Sequence, residues 1–151
     1  MKYIRDLDYA LKVIDECLYG TLSMIDGDGY PYGIPISLVR VGEYIYFHGS
    51  RKGKKIELLK SKPMVSLSCV GKTMVIEEEF TTIYQSAIVA GVIEFVLSSK
   101  EKLMALRELS LKYTSSVMDR FEVEAIKGLE YTEVFKMKIM EISGKGKIRY
   151  R

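Results

Sequence analysis

The segment Asp26-Gly27-Asp28-Gly29 is the strongest constraint on the fold, because it separates two stretches rich in strand-forming residues. Asp-Gly pairs adopt the positive backbone angles that tight hairpin turns require. The flanking residues 20–25 and 32–41 are therefore predicted to form two antiparallel strands. A second tight turn at Val41-Gly42-Glu43 leads into a third predicted strand, Tyr44 to His48.

Further strands are predicted in the middle and at the end of the chain. Apolar and β-branched residues predict strands over residues 64–70, 74–83 and 86–97, and alternating apolar and charged residues predict a closing strand over 132–143. About seven strands in hairpin order are typical of an antiparallel barrel rather than of a doubly wound parallel sheet. The predicted fold class is mainly β, or α+β.

Short helices are predicted around these strands. Apolar residues at three- and four-residue spacing predict a helix from Asp6 to Leu18. A second helix is predicted from Lys54 to Lys62, where Pro63 ends it. The segment Ser98-Ser99-Lys100-Glu101 is predicted to supply the N-cap of a helix that continues toward Tyr113. Thr114 to Leu129 is predicted to hold another short helix with loops.

Length and composition predict one domain over residues 1–151, with a substantial core. The chain is 48% hydrophobic and 28% charged, and it contains neither an internal repeat nor a Pro/Gly linker. No apolar run reaches the roughly 20 residues that cross a bilayer, and the first residues lack the apolar core of a signal peptide. We therefore expect a cytoplasmic protein that does not enter a membrane.

Several reactive residue types have simple interpretations. Cys17 and Cys69 lie in apolar stretches without metal-ligand or redox spacing, so they are predicted to be reduced core residues. His48 is the single histidine and has no acidic cluster beside it, so no metal site is predicted. Glu77 to Glu79 would face alternate sides of a strand and are interpreted as solvated rather than catalytic.

The segment His48 to Lys55 is a candidate anion site. Four of the 23 Lys and Arg residues fall within Arg51 to Lys55, and Gly53 allows backbone amides to approach an anion closely. Because the segment joins a strand to a helix, its amides are also expected at a positive helix terminus. A solvated basic turn explains the same residues equally well. From the residues alone, His48 is best interpreted as a surface ring.

A set of ordered motifs resembles a known protein family. The set is Gly29-Tyr30-Pro31-Tyr32 with Ile34-Pro35, Ile45-Tyr46-Phe47-His48-Gly49, Gly53-Lys54-Lys55, Pro63-Met64-Val65 and Tyr84-Gln85-Ser86. Together they resemble the pyridoxamine 5'-phosphate oxidase-like FMN-binding split-barrel superfamily, and within it the branch related to 5-nitroimidazole-resistance proteins. The resemblance runs from about Met24 to Ser143-Gly144-Lys145.

The resemblance implies an antiparallel split β-barrel of six or seven strands with peripheral short helices. It also implies a homodimer that holds flavin mononucleotide (FMN) in a groove between its subunits. The strand Gly33 to Val39 is then expected to line the isoalloxazine ring of FMN. Within this strand, the implied cofactor contacts are Pro35, Ile36, Ser37 and Leu38.

Five further residues have roles implied by the resemblance. His48 and Gly49 are expected to flank the ribityl phosphate, and Lys54 and Lys55 to pair with it. Ser86 corresponds to a polar position that contacts the flavin or its phosphate. His48 would also be the proton donor in catalysis.

The resemblance implies an FMN-dependent oxidoreductase that passes electrons from a reduced nicotinamide donor to a small electron-poor acceptor. The C-terminal region lacks counterparts of the basic residues that bind pyridoxal phosphate in the true oxidases, which argues against vitamin B6 oxidation. One alternative is a non-enzymatic flavin or haem module, with His48 as an axial ligand. A weaker alternative is a nucleic-acid-binding barrel that uses Arg51 to Lys55 and tyrosine platforms.

Overall fold

The computed structural model describes residues 2–148, in which an eight-stranded antiparallel sheet is flanked by four helices. The strands are β1 (Ile4–Arg5), β2 (Gly20–Ile25), β3 (Pro31–Ile36), β4 (Val39–Val41), β5 (Tyr44–Ser50), β6 (Met64–Ile76), β7 (Thr81–Phe95) and β8 (Thr132–Lys147). The helices are α1 (Leu7–Glu16), α2 (Lys54–Ser61), α3 (Ser99–Tyr113) and α4 (Phe121–Gly128). Short 3-10 helices cover Glu77–Glu79 and Ser115–Arg120.

The first predicted hairpin is confirmed, and its turn is stabilised by Asp26. One carboxylate oxygen of Asp26 accepts hydrogen bonds from the backbone N–H groups of Asp28, at 3.0 Å, and Tyr30, at 2.9 Å. Gly29 has a φ of 84°, a value that favours glycine. Strands β2 and β3 pair from Gly20 opposite Ile36 to Ile25 opposite Pro31.

The strand order is β3-β2-β6-β7-β8-β5-β4, with β1 paired to β8. This arrangement confirms the predicted mainly β, antiparallel split-barrel class, although the hydrogen-bonded path is open at β3 and β4. The long strands β6, β7 and β8 form its centre. Within residues 2–148, no helix is long and apolar enough to cross a membrane.

Two of the predicted strands are wrong, because neither is a single strand in the structure. The predicted strand 32–41 is divided at Ser37–Leu38 into β3 and β4. The predicted strand 74–83 is instead the end of one hairpin arm and the start of the next, because the chain turns at Glu77–Glu79 and Phe80 takes a φ of 48°. Glycine and proline are absent from this turn, so β-propensity alone could not locate it. The three glutamates are exposed, as expected, but they lie on this turn and not on a strand.

The helices follow the predicted pattern closely. Asp6 caps α1 and accepts a hydrogen bond from the Tyr9 N–H at 2.9 Å, and Ser98 caps α3 and accepts one from the Glu101 N–H at 3.3 Å. The region predicted to hold a short helix with loops contains the 3-10 helix Ser115–Arg120 and α4. Each observed helix lies within the residues predicted for it.

Two hydrophobic clusters lie on opposite faces of β5. The larger one fills the space between the sheet and α1 and includes Ile45 and Phe47, with the Phe47 ring stacked on Phe135 at 4.8 Å between centroids. The smaller cluster joins Tyr46 to Ala105 of α3. This alternation, expected for a strand buried on both sides, sets the direction of the side chains that follow.

The two cysteines belong to the larger cluster. Both Cys17 and Cys69 are free thiols and are no more than 1% exposed. The prediction that they are reduced core residues is confirmed.

Candidate functional site

The end of β5 sends consecutive residues to opposite faces of the sheet. The side chain of His48 lies on the same face of β5 as that of Tyr46. It faces α3 and α4, where it lines two adjoining cavities. Gly49 lies on the same face of β5 as Phe47, and a Cβ atom at Gly49 would lie 3.8 Å from the Phe135 ring. His48 and Gly49 therefore lie on different sides of one strand.

The two cavities form one groove, which we name the His48 groove. Their volumes are about 530 and about 260 Å³, which lie near the range typical of small-molecule sites. Ser37 lines the smaller cavity and Thr132 the larger one. Both cavities are lined by His48, Leu106, Ser110 and Thr114. The larger one is also lined by Val117, Met118, Arg120, Phe121, Glu124, Ala125, Gly128 and Thr132.

His48 has a lowered pKa. Desolvation of the imidazole by the surrounding protein is the larger cause, and the positive charge of Lys55 is the second. The residue as a whole is still solvent-accessible, so small molecules can reach it. Because the ordinary histidine pKa is already below 7, the ring is neutral at neutral pH. It can then donate one N–H hydrogen bond and accept another, but it is a strong proton donor only in acid.

Four neighbouring residues predicted to line the flavin differ in accessibility. Ser37 is exposed and is the member of this set that lines the His48 groove. Ile36 and Leu38 are buried in the larger hydrophobic cluster. Pro35 is exposed on β3, opposite Thr21 of β2. The structure therefore brings Ser37 and His48 together, while the side chains of Ile36 and Leu38 belong to the core.

The loop Ser37–Leu38 is held by two residues that the sequence analysis did not single out. The Tyr113 hydroxyl accepts a hydrogen bond from the Leu38 N–H at 3.0 Å, and Lys112 Nζ donates one to the Leu38 carbonyl at 2.8 Å. Both residues end α3, far along the chain from Leu38. The helical pattern predicted their helix but carried no signal for this contact.

Lys54 and Lys55 are the first two residues of α2, and their ammonium groups lie near different aromatic rings. Lys54 Nζ lies 4.4 Å from the centroid of the Tyr32 ring, and Lys55 Nζ lies 5.5 Å from that of Phe135. Lys55 also contacts the backbone of Gly49 closely, because a Cβ atom there would collide with Nζ. Burial lowers the pKa of Lys55. Among residues 2–148, neither lysine forms an ion pair with a carboxylate.

This arrangement fits a phosphate group. The first N–H groups of a helix lack intrahelical partners, and no side chain caps the N-terminus of α2. Gly53, the N-cap residue, has a φ of 125°, which allows the chain to enter the helix without a side chain over these amides. Two unpaired ammonium groups and an uncapped helix N-terminus provide the donors that a dianion requires. Arg51 and Lys52, by contrast, are exposed.

Ser86 lies far from the His48 groove in this chain. It pairs with Lys145 in the middle of the sheet, and its hydroxyl donates to the Lys145 carbonyl at 3.2 Å. Phe95 pairs with Phe135, which lies at the end of β8 close to the groove. Phe95 is nine residues farther along β7 than Ser86. Extended chain of this length spans about 30 Å. Ser86 therefore lies near one end of the β7–β8 pair, and His48, opposite Val134, lies beside the other end.

No group of three or more His, Cys, Asp or Glu side chains within residues 2–148 is placed to hold a metal ion.

Comparisons with known proteins show which family and which solved structures the chain is similar to. The chain matches the sequence profile of the pyridoxamine 5'-phosphate oxidase family over residues 6–146. No curated protein matches it in sequence.

Solved structures share the fold at low sequence identity. A proposed 5-nitroimidazole antibiotic resistance protein from Bacteroides thetaiotaomicron has a TM-score of 0.78 and 22% identity, over 95% of this chain and 85% of that protein. The flavocytochrome Anf3 from Azotobacter vinelandii has a TM-score of 0.80 and 21% identity, over 98% and 71% of the two chains. The heme storage protein HutZ from Vibrio cholerae has a TM-score of 0.69 and 14% identity, over 94% and 97%.

Proposed function

We propose, since the chain belongs to the pyridoxamine 5'-phosphate oxidase family, that it is an FMN-dependent oxidoreductase. The observation that carries the proposal is the meeting of Ser37 and His48 in one groove, at a strand end where Lys55 of α2 approaches the neighbouring Gly49. The groove supplies a partly apolar site for a ring, and α2 supplies a site for a phosphate. FMN combines these two chemical features in one molecule.

The bound FMN would supply hydride or electron transfer, and the chain would bind and orient the reactants. Lys54, Lys55 and the first amides of α2 would hold the phosphate. Ser37 would contact the ring system. His48 would donate its N–H to an acceptor at neutral pH and would transfer a proton as the pH falls toward its lowered pKa. Leu106 and Phe121 line the groove and would limit the access of water.

We propose a small electron-poor molecule as the acceptor and a reduced nicotinamide as the electron donor. The dimensions of the groove and its partly apolar walls support a small planar acceptor. A cytoplasmic location, where reduced nicotinamides are available, is expected for such a reaction.

A homodimer with FMN between its subunits is also part of the proposal. Ser86 is too far from His48 for one flavin to contact both in a single chain, so a second copy would have to provide one of them. The outer face of the central strands has the chemistry of an interface: Val70 and Ile88 are 55% and 52% exposed there, next to small side chains such as Ser68 and Ser143. Small side chains allow a second sheet to approach closely.

The phosphate assignment is tested with the double variant Lys54→Ala, Lys55→Ala. Removing both ammonium groups should weaken FMN binding by about 3 kcal/mol, or roughly a hundredfold, measured by fluorescence titration. The matched control is Arg51→Ala, Lys52→Ala, which removes the same charge from exposed neighbours. Equal FMN affinity in the lysine double variant and the wild type would show that the phosphate binds elsewhere.

The cofactor itself is tested by the visible spectrum of the freshly purified protein and by the mass of the released chromophore. A broad flavin absorption with the mass of FMN supports the proposal, whereas the mass of FAD would correct it. A sharp Soret band would favour haem. The haem alternative has a specific basis, because His48 offers a neutral imidazole and two of the similar structures are a flavocytochrome and a heme storage protein.

A further inference from the structure

The peptide unit at Leu38 is held by side chains instead of by a strand ladder. Leu38 is fully buried, and it lies in the two-residue break between β3 and β4. Its N–H donates to the Tyr113 hydroxyl at 3.0 Å, and its carbonyl accepts from Lys112 Nζ at 2.8 Å. Buried backbone groups without partners are costly, so these two contacts fix the loop.

The same two side chains connect the loop to the end of α1. The Tyr113 hydroxyl carries one proton, and its shortest acceptor is the Leu18 carbonyl at 2.7 Å. Lys112 Nζ also donates to the Ile14 carbonyl at 3.4 Å. Two separate segments, the Ser37–Leu38 loop and the end of α1, therefore meet at the C-terminal end of α3.

This junction adjoins the His48 groove. Ser37, His48 and Tyr113 line the same cavity of about 260 Å³, and Ser37 is the residue next to Leu38 in the chain. A shift of Leu38 would move the Ser37 hydroxyl relative to His48. Since Ser37 is the proposed ring contact, the junction controls the shape of the groove where the ring would lie.

Lys112 places a positive charge where a neutral donor would hold the backbone equally well. Burial lowers its pKa, and within residues 2–148 no carboxylate oxygen lies close enough to form an ion pair with it. The one carboxylate that raises its pKa, Asp15, is held by both Nε and Nη2 of Arg40, at 2.9 and 2.7 Å. Carbonyl oxygens satisfy the ammonium hydrogens but do not cancel the charge.

We propose that Lys112 and Tyr113 are positioning residues that act through Leu38, and that Lys112 also places a positive charge behind the groove wall to favour the reduced, more negatively charged state of the flavin. This inference depends on the proposed function, because it assumes that the flavin ring lies against Ser37. A fixed positive charge close to a flavin ring is one way in which a protein changes its electronic properties. Tyr113 fixes geometry without charge, so the two residues have separable effects.

The experiment measures FMN affinity and the reduction potential of the bound flavin in the full-length chain. In Lys112→Met, the ratio of affinities for reduced and oxidised flavin should fall about tenfold, which is about 30 mV for a two-electron couple. Lys112→Arg should restore most of this ratio. In Tyr113→Phe, FMN affinity should fall about tenfold while the ratio stays unchanged, since the ring remains and only the hydroxyl is lost.

The controls separate the field of Lys112 from general effects of charge. Lys102→Met removes the same charge from the other end of α3 and should leave the ratio unchanged. Because the pKa of the nearby Cys17 thiol is lowered, measurements are made at mildly acidic pH, where this thiol is protonated and does not offset Lys112. Hydrogen bonding from Cys69 is the main cause of that lowered pKa, followed among the favourable contacts by Lys112 itself.

Each outcome decides a separate question. A wild-type chain that binds no flavin contradicts the proposed function itself. A wild-type ratio in a folded Lys112→Met variant overturns the assignment of Lys112, and wild-type FMN affinity in Tyr113→Phe overturns the positioning role. If Lys112→Met does not unfold cooperatively on heating, Lys112→Gln takes its place, and a wild-type ratio in that variant overturns the assignment of Lys112.

Discussion

The pKa of His48 depends in part on a charged residue that lies on the other face of the sheet. Its ring lines the groove, while Lys55 lies near Gly49 on the other face of β5. The charge of Lys55 nevertheless lowers the His48 pKa, because a single strand separates the two groups. Phosphate bound at Lys55 would offset that charge, so binding of the proposed cofactor would be coupled to the protonation of His48.

Lys55→Met is predicted to raise the His48 pKa, since it removes the charge that disfavours the imidazolium. Because the chain has a single histidine, proton NMR of the imidazole follows this titration without assignment. Lys54→Met is the matched control and should leave the pKa unchanged, since Lys54 is not among the causes of the shift. An unchanged His48 pKa in Lys55→Met would contradict the prediction.

The lowered pKa of His48 also affects the stability of the folded protein in acid. The folded chain binds the His48 proton less readily than the unfolded chain, whose histidine has its ordinary pKa. Stability therefore decreases as the pH falls through that ordinary value toward the lowered one. Desolvation is the larger cause, so part of this dependence should remain in Lys55→Met.

At the scale of elements, the β7–β8 pair depends on a register shift at Gly91. Ala90 pairs with Glu141 but Gly91 pairs with Ile139, which leaves Met140 without a partner across the ladder. A Cβ atom at Gly91 would collide with the Lys138 carbonyl and lie 2.9 Å from Met137 side-chain atoms. Glycine is required here for close approach and not for its backbone angle.

Gly91→Ala is predicted to lower the free energy of unfolding by about 2 kcal/mol, because backbone and buried side-chain atoms must move to make room. Chemical denaturation measures the change. Gly27→Ala is the control, since a Cβ atom at Gly27 meets nothing within 4 Å and its φ is not positive, so its effect should be within about 0.5 kcal/mol. Equal stabilities of the two variants would show that the bulge tolerates a side chain.

At the scale of the whole molecule, the outer face of β6, β7 and β8 is the proposed dimer interface. Ile88→Lys places a charge at its centre and should shift the protein from dimer to monomer in sedimentation experiments, with weaker FMN binding. Ile126→Lys on α4 is the matched control, because Ile126 is 64% exposed outside this face. A dimer that survives Ile88→Lys with full FMN affinity would place the interface elsewhere.

Much of the fold was predictable because its signals are local. The Asp26 turn, the cap residues Asp6 and Ser98, and the alternation in β8 each depend on neighbours in sequence. The break at Ser37–Leu38 was not predictable, because its peptide groups are held by Tyr113 and Lys112 from another element. The turn at Glu77–Glu79 was missed because its residues resemble those of the strands beside it.

The sequence by itself determined the hairpin order, the helix positions, the burial of both cysteines and the basic segment before α2. Those features follow from periodicity and composition over a few residues. Only the tertiary structure decided that Ser37 and His48 share a groove, that Gly49 and Lys55 lie on the opposite face of β5, and that Ser86 lies near the other end of the β7–β8 pair. The physical reason is that strand pairing and helix docking bring together residues distant in sequence, and no local pattern records which ones meet.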